Sequence, residues 1–227
     1  LGWRDDSFHG GEIDTPHIDS LAHDGIELDR FYVCPVCSPT RAGLMTGRYP
    51  IRYGLSRTVI PPWRDYGLST EEVTLANVFE QAGYTHRAVI GKWHLGHRRI
   101  QWHPLSRGFT HFHGHYNGAL DYFTHEREGE RDWHIDLAPS DEAGYTTDLI
   151  GSAAAEFIRE HAADASPFVC YVPFNAPHSP FQAKPEDLAK YSHLRDSHSE
   201  RRQQLAAMIA ALDDAIGGIL EAIEETS

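Results

Sequence analysis

The stretch "TLANVFEQAGYTHRAVIGKWHLG", residues 74–96, decides the fold class of this 227-residue chain. Residues 74–84 have the spacing of an amphipathic helix that Gly83 ends. The apolar face of this helix consists of Leu75, Val78 and Phe79. "HRAVIGK" (86–92) then predicts a short buried strand, and "GKWHLG" (91–96) is the loop that follows it. A helix, a buried strand and a polar exit loop in this order are typical of an α/β sheet.

The same alternation recurs along the chain. Further helices are predicted at 15–25, 38–47, 145–162 and 200–224, and further strands at 26–33 and 167–174. The middle, 97–144, is rich in Gly, His, Pro and charge, which predicts long loops with short elements. Ligands of such sheets bind at the carboxyl ends of strands, where the loops 91–96 and 175–180 begin. The sequence therefore predicts an α/β sheet sandwiched between helices.

Two of the predicted helices share the same terminal signals. Thr15 and Ser38 are predicted N-caps, each followed by a proline, and Gly25 and Gly47 are predicted to end the helices. The inward face of the first helix is predicted to be Ile18, Leu21 and Ala22. The second helix begins beside Cys37, which places this cysteine at a strand-to-helix junction.

Composition limits the partners of the chain. Its hydrophobic content of 41% can supply the core of one large domain or two small ones. The net charge of −13 argues against nucleic acid or an anionic membrane as a partner, so an anionic ligand needs a local pocket. The longest apolar stretch, "PFVCYVPF" (167–174), is far shorter than the roughly 20 residues of a membrane span.

The three cysteines, Cys34, Cys37 and Cys170, imply no disulfide framework in a chain of this size. Cys34 and Cys37 form a Cys-x-x-Cys pair. A structural zinc would need further ligands at similar spacing, which the sequence lacks. A redox pair would gain from a helix N-terminus, which lowers a thiol pKa, but the flanking residues do not resemble a thioredoxin-type helix.

Two other clusters could carry chemistry. His111, His113 and His115 alternate, so on a strand they would share one face and could bind Zn²⁺. With 16 histidines in the chain, such clusters also arise without function. Asp213 and Asp214 are adjacent on a predicted helix and therefore point to different faces, which favours a structural pair over a catalytic one.

The run "CSPTRAGLMTGRYPIRYGL" (37–55) closely resembles the signature of the sulfatase family. The resemblance continues in "TPHIDSLAHDGIELDRFYV" (15–33) and in "GKWHLG", which matches a second signature. "DYFTHE" (121–126) and "APHSP" (176–180) are similar to segments of the arylsulfatase B branch, which acts on N-acetylgalactosamine 4-sulfate. These matches cover nearly the whole chain. They imply an alkaline-phosphatase-like fold and a sulfuric ester hydrolase.

The resemblance also implies the chemistry. A formylglycine-generating enzyme would convert Cys37 to formylglycine before folding, and the hydrate of this aldehyde presents two hydroxyls on one carbon. One hydroxyl, held on a divalent cation (Ca²⁺ or, alternatively, Mg²⁺), attacks the sulfate ester; the second then expels sulfate.

Site roles follow from the matched motifs. Cys37 is the implied nucleophile and metal ligand, and Arg41 is implied to hold the hydrate. Lys92 would bind sulfate and the hydrate, His94 would remove a proton from the hydrate, and His178 would bind sulfate and protonate the leaving oxygen. Taken singly, each of the four polar residues could instead be an ordinary helix, loop or structural residue.

The sequence departs from the family at the residues that bind the cation. The family's acidic pair directly precedes "LGW", whereas Asp5 and Asp6 follow it, so the metal role is not carried onto them. We therefore expect residues 1–227 to be an internal piece of a longer sulfatase: a partial N-terminal catalytic domain, incomplete at both ends of its sheet. We expect the isolated chain to be poorly stable and inactive.

Three further inferences rest on the resemblance alone. The family suggests a secreted, periplasmic or lysosomal location. A phosphonate or phosphate monoester hydrolase of the same superfamily is one alternative, because such enzymes can share the cysteine signature. A non-catalytic protein that binds sulfated glycans is the other.

Overall fold

The computed structural model describes residues 1–227 and contains one main sheet with helices on both faces. The helices are α1 (Pro16–Asp24), α2 (Cys37–Thr46), α3 (Leu75–Gln81), α4 (Thr146–His161), α5 (Pro185–Lys190), α6 (Ser192–Ser197) and α7 (Glu200–Thr226). The strands are β1 (His86–Lys92), β2 (His111–His115), β3 (Glu126–Arg127), β4 (Glu130–Arg131), β5 (His134–Ile135), β6 (Ala138–Pro139) and β7 (Phe168–Tyr171). None of the helices combines the length and apolar character that crossing a bilayer requires.

The main sheet has the strand order β6-β5-β2-β1-β7. β1 runs parallel to both β2 and β7, whereas β5 and β6 are antiparallel additions. In the β1–β2 register Lys92 lies opposite His115, so both strands end at the same edge. The pair β3–β4 forms a separate hairpin. The carboxyl ends of β1 and β2 therefore deliver their exit loops to one place.

Alternation along β1 builds the core on both faces of the sheet. Ala88 and Ile90 are fully buried against α4, whereas Val89 faces the cluster that includes α2 and α3. This period of two is the pattern of a central strand covered on both sides. The predicted α/β class, a sheet between helices, is confirmed, and the bounds of β1 are those predicted.

The long helix α7 also secures the N-terminal helix. The buried carboxylate of Asp213 accepts hydrogen bonds from the backbone N–H of His17 (3.1 Å) and Ile18 (2.8 Å) in the first turn of α1. Thr15 occupies the N-cap position, but its side chain makes no capping bond. Asp214 instead points to Lys190, at 3.6 Å. The two adjacent aspartates thus have separate structural partners, as predicted.

The predicted strand 26–33 is wrong: this segment is irregular. Ile26 and Tyr32 are both 87% exposed, so its apolar residues find no surface within this chain. The pattern was strand-like, but a strand requires a neighbour, which local sequence does not specify. The inward face assigned to α1 is also wrong, because none of its residues is buried and Leu21 is exposed. Val78 of α3 is exposed as well.

The helix beside the cysteines starts two residues earlier than predicted, because its N-cap is Val36 and not Ser38. Cys37 is the first residue of α2, Val36 is its N-cap, and Gly47 ends it in the left-handed conformation. Ser38 is therefore not the cap. Its hydroxyl instead accepts a hydrogen bond from the Ile60 backbone N–H at 3.1 Å, which ties the loop before residue 61 to α2.

We predict that two helical glycines respond oppositely to alanine. A Cβ on Gly151 of α4 would lie 2.8 Å from the Ala215 Cβ of α7, whereas a Cβ on Gly218 meets nothing within 4 Å. Gly151→Ala should lower the free energy of unfolding by about 1–3 kcal/mol through overpacking. Gly218→Ala should raise it by about 0.5–1 kcal/mol through helix propensity. Urea denaturation of both variants tests this, and equal effects would contradict the close α4–α7 contact.

Candidate active site

The start of α2 meets the end of β1. Arg41, one turn into α2, donates a hydrogen bond from Nη1 to the backbone oxygen of Lys92 at 2.5 Å. Cys37 lies at the helix N-terminus, whose free N–H groups and dipole favour an anion. The contact places a largely enclosed guanidinium, a lysine and a cysteine side by side.

Lys92 is almost fully buried and donates from Nζ to the backbone oxygen of Gly118 at 2.5 Å. Burial, reinforced by the charge of Arg41, lowers its pKa to about 8, while Cys37 opposes the shift. Burial likewise lowers the pKa of Arg41, against the opposing effects of Tyr171 and Cys37. No carboxylate is among the groups that act on either cation. Two buried positive charges therefore lie together without a counterion.

His94 is held as a neutral ring. Its Nε2 lies 3.0 Å from the Ile60 backbone oxygen, which can only accept, so Nε2 carries the proton. Nδ1 is buried and has no partner, which leaves its lone pair free. Burial, with the charges of Lys92 and Arg41, lowers the pKa of His94 to about 3. The ring sits against Gly118, where a Cβ would lie 2.4 Å from its Cε1.

His178 comes from the loop after β7. Its backbone N–H donates to the Asn175 oxygen at 2.8 Å, and its own carbonyl accepts from the Tyr122 hydroxyl at 2.8 Å. Its Nδ1 lies 2.7 Å from the Ser179 backbone oxygen, so Nε2 is the nitrogen left free. Burial lowers the pKa of His178, and the charges of Lys92, Arg127 and Arg41 act in the same direction.

Two cavities meet at Cys37. The larger, about 700 Å³, is lined by Cys37, His94 and His178, with the exposed Trp63 and Arg127 at its wall. The smaller, about 390 Å³, is lined by Cys37 and Arg41 together with Tyr171. The structure thus brings the other four predicted site residues, Arg41, Lys92, His94 and His178, together around Cys37.

His115 is a member of this cluster that the sequence did not reveal. It is fully buried beside Lys92, and neither of its ring nitrogens has a partner. Burial, together with Lys92, Arg41 and His94, lowers its pKa well below the ordinary histidine value. The signal that could have found it is the strand register, which single-sequence reasoning does not supply.

The alternative zinc site at the alternating histidines is not supported. His111 faces Asp136 at 3.3 Å and His113 faces Glu142 at 2.6 Å, while His115 lies at the other end of the strand beside Lys92. The ring nitrogens of His111 and His113 have separate carboxylate partners, those of His115 have none, and the three rings do not converge on one point. Alternation on a strand put the three residues on one face, but two of them face separate carboxylates and the third lies beside Lys92.

The residues of this chain around Cys37 do not by themselves make a binding site for a divalent cation. Three ligand atoms of His, Cys, Asp or Glu converge at one place only, which is formed by His86, His161 and Asp164. It lies at the amino end of β1, and a seven-residue strand spans about 20 Å, so it is remote from Lys92. Cys34 and Cys37 are both free thiols, and no third ligand joins them. The Cys-x-x-Cys zinc alternative is therefore not supported either.

Asp5 and Asp6 have other partners. Asp5 pairs with Arg202 at 2.6 Å, and Asp6 accepts from His9 at 2.8 Å. Both contacts hold the N-terminal segment, and neither aspartate lines the cavities at Cys37. We therefore derive no chemical step through a metal.

Comparison with known proteins gives a consistent result. The protein-family model described as Sulfatase matches residues 1–227. Mouse arylsulfatase J is 34% identical over 232 residues, covering 98% of this chain and 38% of the relative. Rat N-acetylgalactosamine-6-sulfatase is 32% identical over 99% of this chain and 45% of its own length. The chain thus spans less than half the length of these curated relatives.

Among solved structures, that of Ps i-CgsB in complex with k-i-k-neocarrahexaose superposes with a TM-score of 0.91 at 30% identity. It covers all of this chain, which in turn covers 53% of that protein. The β1–β2–β7 core and its exit loops are therefore an arrangement that this larger protein shares.

We predict that Lys92→Met stabilises the chain at pH 7. The native pKa of about 8 lies below the ordinary 10.5, so the cost of burying the charge is complete below pH 8 and disappears by pH 10.5. The variant should gain about 1–3 kcal/mol in free energy of unfolding at pH 7, and the gain should shrink as the pH rises through that window. Denaturation between pH 7 and 10.5 measures it.

Lys190→Met is the control, because its ammonium is half-exposed and lies 2.9 Å from Asp187. This variant should show no gain at any pH. A loss of stability in Lys92→Met at pH 7 would mean that the buried ammonium is compensated after all.

Proposed function

Because this chain belongs to the sulfatase family, we propose that it forms part of the catalytic domain of a sulfuric ester hydrolase whose nucleophile derives from Cys37. The observation that carries the proposal is the buried, uncompensated pair Arg41 and Lys92 beside that cysteine. A sulfate ester spreads one negative charge over its non-bridging oxygens. It would supply the counterion that the pair lacks.

The roles of the residues follow from their environments. Arg41 and Lys92 hold the anion and the modified Cys37 from the side of α2 and β1, and the N-terminus of α2 adds N–H donors. Hydrated formylglycine supplies two hydroxyls on one carbon, one to form a sulfate ester with the protein and one to expel the sulfate. His94, with Nε2 fixed on Ile60, offers the free Nδ1 as proton acceptor.

His178 is proposed as the acid for the leaving alcohol. It lines the 700 Å³ cavity with Cys37, and its Nδ1 is engaged by Ser179, so Nε2 is the nitrogen available for the substrate. Its lowered pKa reflects burial and neighbouring cations. A bound anion neutralises those charges, which raises the pKa and allows His178 to carry the proton.

The proposed substrate is the sulfate ester of a sugar. The relatives include an N-acetylgalactosamine-6-sulfatase, and Ps i-CgsB is seen with a neocarrahexaose. The wide cavity and the exposed indole of Trp63 suit a saccharide ring. The proposal does not include the position of the sulfate on the sugar. The sequence suggested the 4-position, but the relatives include 6-sulfatases.

The family pattern supplies the remaining proposals. A formylglycine-generating enzyme is the proposed partner that modifies Cys37, and Ca²⁺, or else Mg²⁺, is the proposed cation, with Cys37 as its one ligand in this chain. A secreted, periplasmic or lysosomal location is proposed on the same basis.

We predict that Cys37 is converted to formylglycine when the protein is made in a host that carries the modifying enzyme. Mass spectrometry of the peptide containing Cys37 should show an aldehyde in place of the thiol. A fully unmodified thiol would remove the mechanism.

The same preparation should then be assayed with paired sulfate and phosphate esters. The assay uses the 227-residue chain and the product of the complete coding sequence that contains it. Preferential phosphate turnover would favour the phosphatase alternative. Binding of sulfated glycan without turnover, despite the aldehyde, would favour the non-catalytic one.

We predict that His178→Gln slows the hydrolysis of sulfate esters with poor leaving groups more than that of esters with good leaving groups. A sugar alkoxide needs a proton as it departs, whereas a nitrophenolate does not. Loss of the general acid should therefore lower the turnover rate of the sugar sulfate by about 10²-fold or more. Turnover of both substrates by the same preparation measures the ratio. His111→Gln, remote from Cys37, is the matched control, and an equal loss on both substrates would assign His178 to binding alone.

A further inference from the structure

A second cluster of chemistry-bearing residues lies at the opposite end of β1. His86 is the first residue of β1, His161 is the last of α4, and Asp164 lies in the loop between α4 and β7. His86 Nε2 and His161 Nδ1 lie 3.1 Å and 2.9 Å from the same carboxylate oxygen of Asp164. The three ligand atoms all lie within 4.8 Å of one another.

We propose that His86, His161 and Asp164 form a binding site for a borderline transition-metal ion, with Zn²⁺ as its occupant. The site is independent of the chemistry at Cys37, because the length of β1 separates the two. A bound ion would link the start of the central strand β1 to the end of α4, the helix that covers it.

The donor set selects the class of ion. Two imidazole nitrogens and one carboxylate oxygen suit Zn²⁺, whereas Ca²⁺ and Mg²⁺ prefer oxygen ligands throughout. Zinc bonds of about 2.0–2.1 Å to such donors place neighbouring ligand atoms about 3.3 Å apart in a tetrahedron. The observed separations of 3.1 Å and 2.9 Å are close to that edge. A small opening of the cluster therefore accommodates the ion.

The rings need one adjustment. His86 and His161 stack with centroids 3.9 Å apart and planes 18° apart, and an ion must lie near both ring planes. The terminal torsion of histidine is broad, so tilting the rings toward one another is inexpensive. Their side chains are 34% and 15% exposed and that of Asp164 is 42% exposed, which leaves access for the ion and for a water as fourth ligand.

The loop that carries Asp164 is already fixed in place. The hydroxyl of Ser166 donates to the Gly83 backbone oxygen at 3.0 Å and accepts from the Thr85 backbone N–H at 3.1 Å. These bonds tie the loop to the turn that leads into His86. Because both sides of the cluster are positioned by the backbone, little ordering is required when an ion binds.

The test is zinc binding by the 227-residue chain, measured by calorimetry and by the thermal midpoint. A background in which Cys34 and Cys37 are serine removes thiol ligands from the measurement. We expect one Zn²⁺ per chain and a rise in the midpoint with zinc, whereas Ca²⁺ leaves the midpoint unchanged. His86→Gln, His161→Gln and Asp164→Asn should each weaken zinc binding by about tenfold or more.

His111→Gln is the matched control, since His111 also faces a carboxylate but has no third ligand. It should bind zinc like the parent. Absence of stoichiometric zinc binding, or equal binding by the three ligand variants and the control, would overturn the proposal and leave the cluster as a hydrogen-bonded contact. Because these variants are tested without turnover, the result does not depend on the activity proposed for Cys37.

Discussion

The site depends on one electrostatic constraint: Arg41 and Lys92 are buried together without a carboxylate partner. In a chain with a net charge of −13, no acidic side chain is placed against them. The pKa values of Arg41, Lys92, His94, His115 and His178 are all lowered, in each case with burial as the largest cause. Such a group of positive and neutral donors is unfavourable when empty and favourable around an anion, which is the arrangement that anion chemistry needs.

Close backbone contacts at the end of β1 hold the site in this unfavourable arrangement. Gly91 has a φ of +128°, and a Cβ there would lie 2.5 Å from the Pro173 oxygen. The next N–H, that of Lys92, donates to this same oxygen at 2.8 Å. β1 and the loop that leads to His178 are thereby locked together, and the backbone N–H of His94 donates to the Tyr116 oxygen beyond β2. The proposed site residues thus leave the sheet where its backbone is closely packed and hydrogen-bonded to both neighbours.

How much the sequence predicted depends on whether a feature is local. The bounds of β1 follow from a run of small and β-branched apolar residues, and the site residues followed from motifs on its exit loop and on α2. The segment 26–33 was misassigned because strand formation depends on a partner that its own pattern does not name. The partners of Asp213 and His115 were not predicted for a related reason. Asp213 caps a helix 195 residues away in sequence, and His115 meets Lys92 only through the strand register.

Anion binding and protonation at this site are necessarily linked. An anion placed against Arg41 and Lys92 favours their charged forms, so the pKa of Lys92 rises from about 8 and those of His94 and His178 rise with it. At neutral pH Lys92 is already protonated, so the proton drawn in by the anion goes to a histidine. Of the two, His94 stays neutral and keeps a free Nδ1, the form in which an imidazole can accept a proton, whereas His178 has the free Nε2 on the cavity side. In the proposed reaction, the charge of the bound substrate would therefore also influence the protonation of the proposed base and acid.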